Sequence, residues 1–405
     1  MDTSGKTFLC ISNYFKGNAF LISLKKQGNR VFLVTSENLK EHPWAFDYID
    51  EVFYMPGQDL DWDLNLLLQG VGGLMKENKI DAIVALDDYD VEKATFLREN
   101  LRISGMGQTT GRYFRDKLAM RIKAQDAGIN VPAFSPLFND EDINQYADHI
   151  PAPWVLKPRS EASAHGIIKV HNKEELWKHI HELGDNRLYY LVEQFKPGDV
   201  YHADGLMLDG KNIFLTVSKY LATPMEISQG GGIFRSANLE YGSDDEKAIK
   251  KVNKDIMKAF GLQSGATHTE FIKCHEDGEI YFLETSSRVG GAHLAEMVEA
   301  ATSINLWTEW AKIEDSLARG KEYKLPKSVK QYAGIVLTLS KFQNPDLSSF
   351  DDPEVYFRVP LEYHAGLIVR SKNRDKVLAL LDDYADRLTR DFSTSAAAPE
   401  VKKFH

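Results

Sequence analysis

Cysteine is nearly absent from this 405-residue chain, which holds only Cys10 and Cys274. Two cysteines allow one disulfide at most, too few for a secreted disulfide framework or for paired zinc ligands, so a reducing compartment is expected. Nowhere do about 18 apolar residues run together, which excludes a membrane-spanning helix. The opening Met-Asp-Thr-Ser-Gly-Lys is not a basic segment leading into an apolar one, and a cytoplasmic location is the expectation. Runs of about five like charges are missing too. The 49 Lys+Arg against 59 Asp+Glu leave a net charge of −10 spread over the chain, with no footprint for wrapping nucleic acid. No internal repeat recurs, and low complexity is confined to the tail from Ser393 to Pro399. What is present is 43% hydrophobic, 11% aromatic and 27% charged residues, a globular profile at a length that predicts two or three domains.

The first stretch, to about residue 111, alternates short apolar runs with helical patterns, which predicts a parallel α/β sheet covered on both faces. Phe8 to Ser12, Val31 to Thr35, Glu51 to Tyr54 and Ala82 to Leu86 read as its strands. The last opens into Asp87-Asp88-Tyr89-Asp90, and ligands on such sheets sit at the carboxyl ends of strands. Arg112 to about Pro132 reads as one helix that begins a new unit. From Trp154 to about Phe282 strands and hairpins predominate, an α+β pattern, and the residues after about 320 read as a small separate α/β lobe.

Some tempting motifs fail. Gly5-Lys6-Thr7 lacks the earlier glycine and strand of a P-loop, Gly70-Val71-Gly72-Gly73 lies within a helical stretch, and His179 and His181 share no helix face. The informative constellation is a hairpin, His268 to Ile272, turning at Asp277-Gly278 and returning as Ile280 to Arg288. Counting outward from the turn sets Glu270 and Glu284 nearly opposite each other. Two adjacent carboxylates are stable with a cation between them, and Mg²⁺ takes one or two carboxylates while phosphates complete its octahedron. The alternative is two exposed glutamates on a surface hairpin. Lys157 ends an apolar strand, where a lysine reaching inward would meet a phosphate. Small residues from Ser160 to Gly166 could cover phosphates, and Glu193-Gln194-Phe195 closes a very apolar strand suited to backbone bonds with an adenine ring. Arg288 sets a planar cation beside the acidic pair. His202 and Asp204 follow the hinge strand, and satisfied structural partners are expected for both.

The order of these features resembles the ATP-grasp superfamily, and within it the branch similar to biotin carboxylase, carbamoyl-phosphate synthetase and the L-amino-acid ligases, over about residues 1 to 320. That resemblance implies an N-terminal α/β pre-ATP-grasp domain over 1–111, an ATP-grasp domain over 112–319 and a C-terminal α/β lobe over 320–405. It also implies that Lys117 and Lys157 contact ATP phosphates, that Glu193 with Phe195 binds adenine, and that Asp199, or the next position, Val200, meets the ribose. Glu270 and Glu284 match the acidic pair that holds Mg²⁺, with Mn²⁺ as the alternative ion, and Arg288 matches the arginine that stabilises the acyl centre. Ser286 departs from the asparagine usual at that metal-ligand position, and a hydroxyl is a poorer ligand.

The chemistry implied is that of an ADP-forming ligase. A carboxylate attacks the γ-phosphate of ATP, and an amine, or a thiol, then displaces phosphate from the acylphosphate. Positioning and charge neutralisation carry such catalysis, and neither cysteine is a convincing nucleophile. Substrate walls are expected from Gly231 and Gly232 in the triple glycine and from Gly290, Gly291 and His293. Small-molecule carboxylate and amine partners follow, with no nucleic acid or membrane, and a homodimer is left open. The competing readings are a bicarbonate-activating carboxylase, opposed by the lack of a Met-Lys-Met biotinyl module, and a nucleotide-binding regulator, opposed by the retention of both lysines, both glutamates and the arginine.

Overall fold

Phe8 to Ile11, Val31 to Val34 and Ile83 to Leu86 are unbroken apolar runs, and such strands are stable only when both faces are covered. The structure, a computed structural model of the chain, describes residues 5–56, 62–161, 166–223 and 232–394. Its first sheet is parallel, built of β1 (Thr7–Ser12), β2 (Arg30–Ser36), β3 (Glu51–Met55) and β4 (Ala82–Ala85) in the order β3-β2-β1-β4. Leu9, Ile11, Phe32 and Ile83 face the helices Leu64–Leu74 and Val91–Leu101, where they meet Leu67, Val71, Val91 and Leu97. Phe8, Cys10, Val31 and Val84 face the other way, onto the helix Asn18–Lys26.

The helix expected from Arg112 to about Pro132 is shorter: Arg112 closes one helix, Gln108–Arg112, and a second runs Lys117–Asp126. Asp116 leaves the helical path to cap the second, its Oδ1 accepting from the Leu118 amide at 2.9 Å and the Ala119 amide at 3.4 Å. An acceptor there satisfies amides that would otherwise lack partners, which favours a fresh helix start. A small antiparallel sheet follows, of β5 (Phe134–Pro136), β6 (Trp154–Pro158), β7 (Ile168–Val170) and β8 (Tyr190–Gln194), in the order β5-β8-β6-β7. Ile143, Leu176 and Ile180 from its two helices bury Leu156, Val170 and Val192.

The largest sheet has eight strands: β9 (Gly198–Leu208), β10 (Lys211–Tyr220), β11 (Phe234–Asn238), β12 (Gly265–Cys274), β13 (Ile280–Ser286), β14 (Tyr332–Leu339), β15 (Val355–Arg358) and β16 (His364–Ser371). Their order is β13-β12-β9-β10-β11-β14-β16-β15, with every neighbouring pair antiparallel. The C-terminal residues expected as a lobe after residue 319 join this sheet, because β14 pairs with β11 from Phe234↔Leu337 to Ala237↔Gly334 and continues the same ladder. An exposed β11 edge would be a template for association, and β14 covers it.

The boundary near residue 111 is not a break in packing either. One apolar cluster joins Phe8 and Phe20 of the first unit to Leu206 and Ala266 of the large sheet and to Trp307 and Trp310 of the helix Leu306–Arg319. The Phe20 and Trp310 rings meet edge to face, 4.8 Å apart. Cys10 and Cys274 are both buried and free. Among the described residues no helix is long and apolar enough to cross a membrane.

Candidate active site

Glu270 and Glu284 pair directly across β12 and β13, next to Thr269↔Thr285 and His268↔Ser286. Gly278 supplies the positive φ of the connecting turn, 73°, Asp277 Oδ1 accepts the Glu279 amide at 2.9 Å, and a register shift between Glu270 and Phe271 then aligns the two glutamates. Strand alternation then puts both carboxylates on one face of the sheet, where like charges repel unless partnered. Tyr220 OH donates to Glu270 Oε1 at 2.8 Å, and Lys117 Nζ lies 2.8 Å from Glu284 Oε2. Burial alone would raise the Glu284 carboxyl, but Lys117 holds it below the usual range. The second oxygen of each carboxylate has no hydrogen-bond partner among the described residues. Two oxygen donors of that kind on adjacent strands fit a hard divalent cation such as Mg²⁺.

The lysines approach this face from the small sheet and its neighbouring helix. Lys117, the first residue of its helix, also donates to the Glu161 carbonyl at 2.6 Å. Lys157, on β6, makes a close ion pair with Glu193 Oε1. Arg121, four residues after Lys117, reaches the other oxygen, with Nε at 3.0 Å and Nη2 at 2.9 Å, and donates from Nη1 to the carbonyl of Leu283. One buried carboxylate thus holds two cations and ties β6 and β8 to the strand that carries Glu284. Burial pushes the Lys157 ammonium down to about 8, against the pull of Glu193 and with Arg121 adding to the shift. The two cations hold Glu193 low although burial would raise it.

A third wall comes from the first sheet. Asp88, just past β4, takes Arg288 Nε at 2.8 Å, a closer contact from Nη2, and the Ser286 hydroxyl. Burial opposes the charge on Asp88, yet Arg288 keeps its carboxyl far below the ordinary range. Tyr89 OH donates to Glu161 Oε2 at 2.9 Å, and the Arg115 guanidinium lies 4.3 Å from the Tyr89 ring centre.

Lys117, Lys157, Glu270, Glu284, Ser286 and Arg288 are thus brought to one cleft, while other expectations need correction. Asp199 shares the face of Tyr201 and Lys273, opposite to His202 and Glu270, and pairs with Lys219 Nζ at 2.8 Å. A ribose contact from that position is therefore withdrawn, since strand parity turns the carboxylate away. The Phe195 amide donates to the Pro153 carbonyl at 3.0 Å and the Gln194 amide to Ala133 at 2.7 Å, so neither offers an adenine donor. Ser286 donates its hydroxyl proton to Asp88, which leaves only the lone pairs of its oxygen for a metal. His293 turns its ring toward Phe357, 5.7 Å away, and its Nδ1 lies 3.5 Å from Glu296 Oε2. Gly290 packs on side chains rather than lining open space, Gly291 is open, and Gly232 is exposed. Gly231 and the small-residue loop at 162–165 lie outside the described residues.

Sequence reasoning missed Arg121 and Tyr220 as parts of the site. The signal for Arg121 was its i+4 spacing from Lys117, which stacks both on one helix face. Asp88 was visible as part of an acidic run at a strand end, without its partner.

Residues 150–296 match the ATP-grasp domain family. Over 254 residues the chain is 28% identical to an L-arginine-specific L-amino acid ligase of Bacillus subtilis, a match covering 60% of this chain and 60% of that protein's length. The structure is similar to that of an L-amino acid ligase from Bacillus licheniformis, with a TM-score of 0.73 at 17% identity over 95% of this chain and 98% of the other. It is similar also to an N5-carboxyaminoimidazole synthetase from Staphylococcus aureus complexed with ADP, with a TM-score of 0.72 at 15% identity over 94% and 97%. Residues 150–296 thus carry the match to an ATP-grasp domain, and the parallel, small and large sheets together share the overall fold of those structures.

Proposed function

We propose that this protein is an ADP-forming ligase that joins a small-molecule carboxylate to an amine through an acylphosphate. The observation that carries this reading is the direct Glu270↔Glu284 pairing on a face that Lys117 and Arg288 also reach. Lys157 and Lys117 would bind the ATP phosphates, exchanging their carboxylate partners for phosphoryl oxygens. Glu270 and Glu284 would hold Mg²⁺, which neutralises charge on the transferring phosphoryl group. A substrate carboxylate oxygen attacks the γ-phosphorus, the bond to the bridging oxygen breaks, and ADP leaves. The amine nitrogen then attacks the acyl carbon, the C–O bond to phosphate breaks, inorganic phosphate leaves and the amine releases a proton. Arg288 offers guanidinium N–H donors to the oxyanion of that second step. The amino acid ligase relatives support an amino acid as the carboxylate, and the two free buried thiols support a cytoplasmic location.

ADP release measured across pooled carboxylic acids with pooled amines tests this. The expected result is release that needs both partners and Mg²⁺. Release driven by bicarbonate alone, or no release with any pair, would overturn it.

A further inference from the structure

Behind the acidic pair lies a buried group of side chains that the reaction scheme above does not use. His202 is directly opposite Glu270, and Asp204 directly opposite His268, so all four share the cation-facing side of β9 and β12. Asp204 is fully buried, and each of its oxygens meets one imidazole: Oδ1 lies 2.8 Å from His268 Nδ1 and Oδ2 lies 2.6 Å from His202 Nδ1. His202 Nε2 in turn lies 2.7 Å from Ser236 Oγ, whose hydroxyl reaches the Lys219 carbonyl at 3.2 Å. Only one edge of this assembly points into the cleft, the Nε2 of His268, 3.6 Å from Glu270 Oε1.

The chain closes over the pair tightly. A Cβ on Gly290 would fall 2.9 Å from Asp204 Oδ1 and 3.0 Å from His268 Nδ1, so no larger residue fits without displacing them. The glycine read from sequence as a substrate wall is a cover that keeps water off the carboxylate.

An ionised carboxylate is an acceptor only, so each imidazole must present its Nδ1 proton to Asp204, and this sets the plane of both rings. We propose that Asp204 is the positioning residue of the acyl-transfer site: it locks His268 with Nε2 turned toward Glu270 and the substrate oxygens beside it, and His202 and Ser236 lock Asp204. This rests on the ligase reading. His268 is the group that meets substrate, and Asp204 acts only through it.

Asp204→Asn is the direct test, because an asparagine offers one acceptor and one donor where two acceptors are needed. Replacing by an amide the carboxylate that orients a histidine in an acyl-transfer site can cost up to about 10⁴-fold in kcat. The expected result is a fall in kcat of at least about tenfold in protein that remains folded at the assay temperature, with KM for ATP within about twofold. His202→Phe should lose activity the same way, and His202→Asn, which keeps a donor toward Asp204, should recover part of it. Proton NMR of ¹⁵N-histidine-labelled protein gives a readout without turnover. Two slowly exchanging Nδ1 protons should appear in the wild type and both should change in Asp204→Asn. If no carboxylate and amine pair is turned over, the ligase reading fails while the NMR still decides the positioning. An Asp204→Asn enzyme with kcat within about twofold of wild type overturns the proposal, as does a loss that tracks ATP affinity or stability. The three groups also lie close enough to hold one metal ion. Stoichiometric metal in the purified protein, together with absent Nδ1 protons, would overturn it as well.

Discussion

Glu193→Gln is the most informative single change, because it removes one carboxylate and leaves two buried cations. Arg121 is fully buried, Lys157 is 6% exposed and Glu193 is 3% exposed, so water cannot take the carboxylate's place. Breaking a buried ion pair by removing one partner costs about 3–5 kcal/mol, but the two cations differ in how they respond. Arg121 cannot discharge, and its unpaired burial persists at any working pH. Lys157 can. Its ammonium already sits at about 8 against an ordinary 10.5, and losing Glu193 drives it lower still. At pH 7 the variant sheds that proton, so the lysine's share of the loss is limited to about 1.4 kcal/mol, one pH unit's worth. The sign follows from linkage. With Lys157 neutral in the folded variant and charged in its unfolded chain, the unfolded state binds more protons, so variant stability rises with pH by about 1.4 kcal/mol per unit. The wild type, still half protonated at pH 8, gains much less over the same interval. The deficit of the variant should therefore shrink by about 1 kcal/mol between pH 7 and pH 8 on top of a constant Arg121 component. Urea unfolding followed by tryptophan fluorescence at the two pH values measures this, and Trp154, buried on the same strand as Lys157, reports locally. A deficit that stays flat or grows with pH refutes the idea that one carboxylate balances both cations.

Replacing Glu284 by Gln should raise the Mg²⁺ concentration for half-maximal ADP release by about tenfold or more, and an unchanged titration would remove Glu284 from the cation site. Arg288→Lys keeps a charge and loses the planar fork on Asp88, so kcat should fall about 100-fold with KM for ATP preserved. Equal loss in both would place Arg288 in ATP binding instead. Burial pushes the Asp90 carboxyl up to about 7, with Asp87 adding to the shift and Lys93 opposing it. Its folded value lies above the ordinary 3.8, so the folded state holds a proton the unfolded chain gives up, and stability falls as pH rises from about 4 to 7. Asp90→Asn removes that dependence, and its stability advantage in urea should grow between pH 5 and pH 7 by an amount on the order of 2 kcal/mol. An advantage that stays constant over that range contradicts the buried-proton account.

What was legible in the sequence was local. Counting outward from Asp277-Gly278 brought Glu270 and Glu284 to within one residue of each other, and a register shift between Glu270 and Phe271, which no local pattern announces, makes the pairing direct. The four parallel strands followed from unbroken apolar runs. What failed was parity and distance along the chain. Asp199 was placed by its nearness to the hinge, yet one residue's difference in where β9 begins decides which face it takes. Ser286 looked like a weakened ligand because its partner, Asp88, lies 198 residues earlier and contact across that span has no local signature. His202, Asp204 and His268 are spread over two strands that meet only in the folded sheet, so neither spacing nor composition joined them. The C-terminal strands looked independent because pairing of β14 with β11 is decided by an edge that sequence does not display.

That shared ladder sets a limit on how this molecule can be divided. A truncation near residue 320 would respect the pattern read from sequence and would strip β14 from β11, baring backbone donors and acceptors along Phe234 to Ala237. Ser236, which stands behind His202, lies in the middle of that bared segment. The C-terminal residues thus belong to the wall behind the cleft, and a nucleotide-binding fragment cut free of them would inherit a sticky edge and a loosened histidine pair.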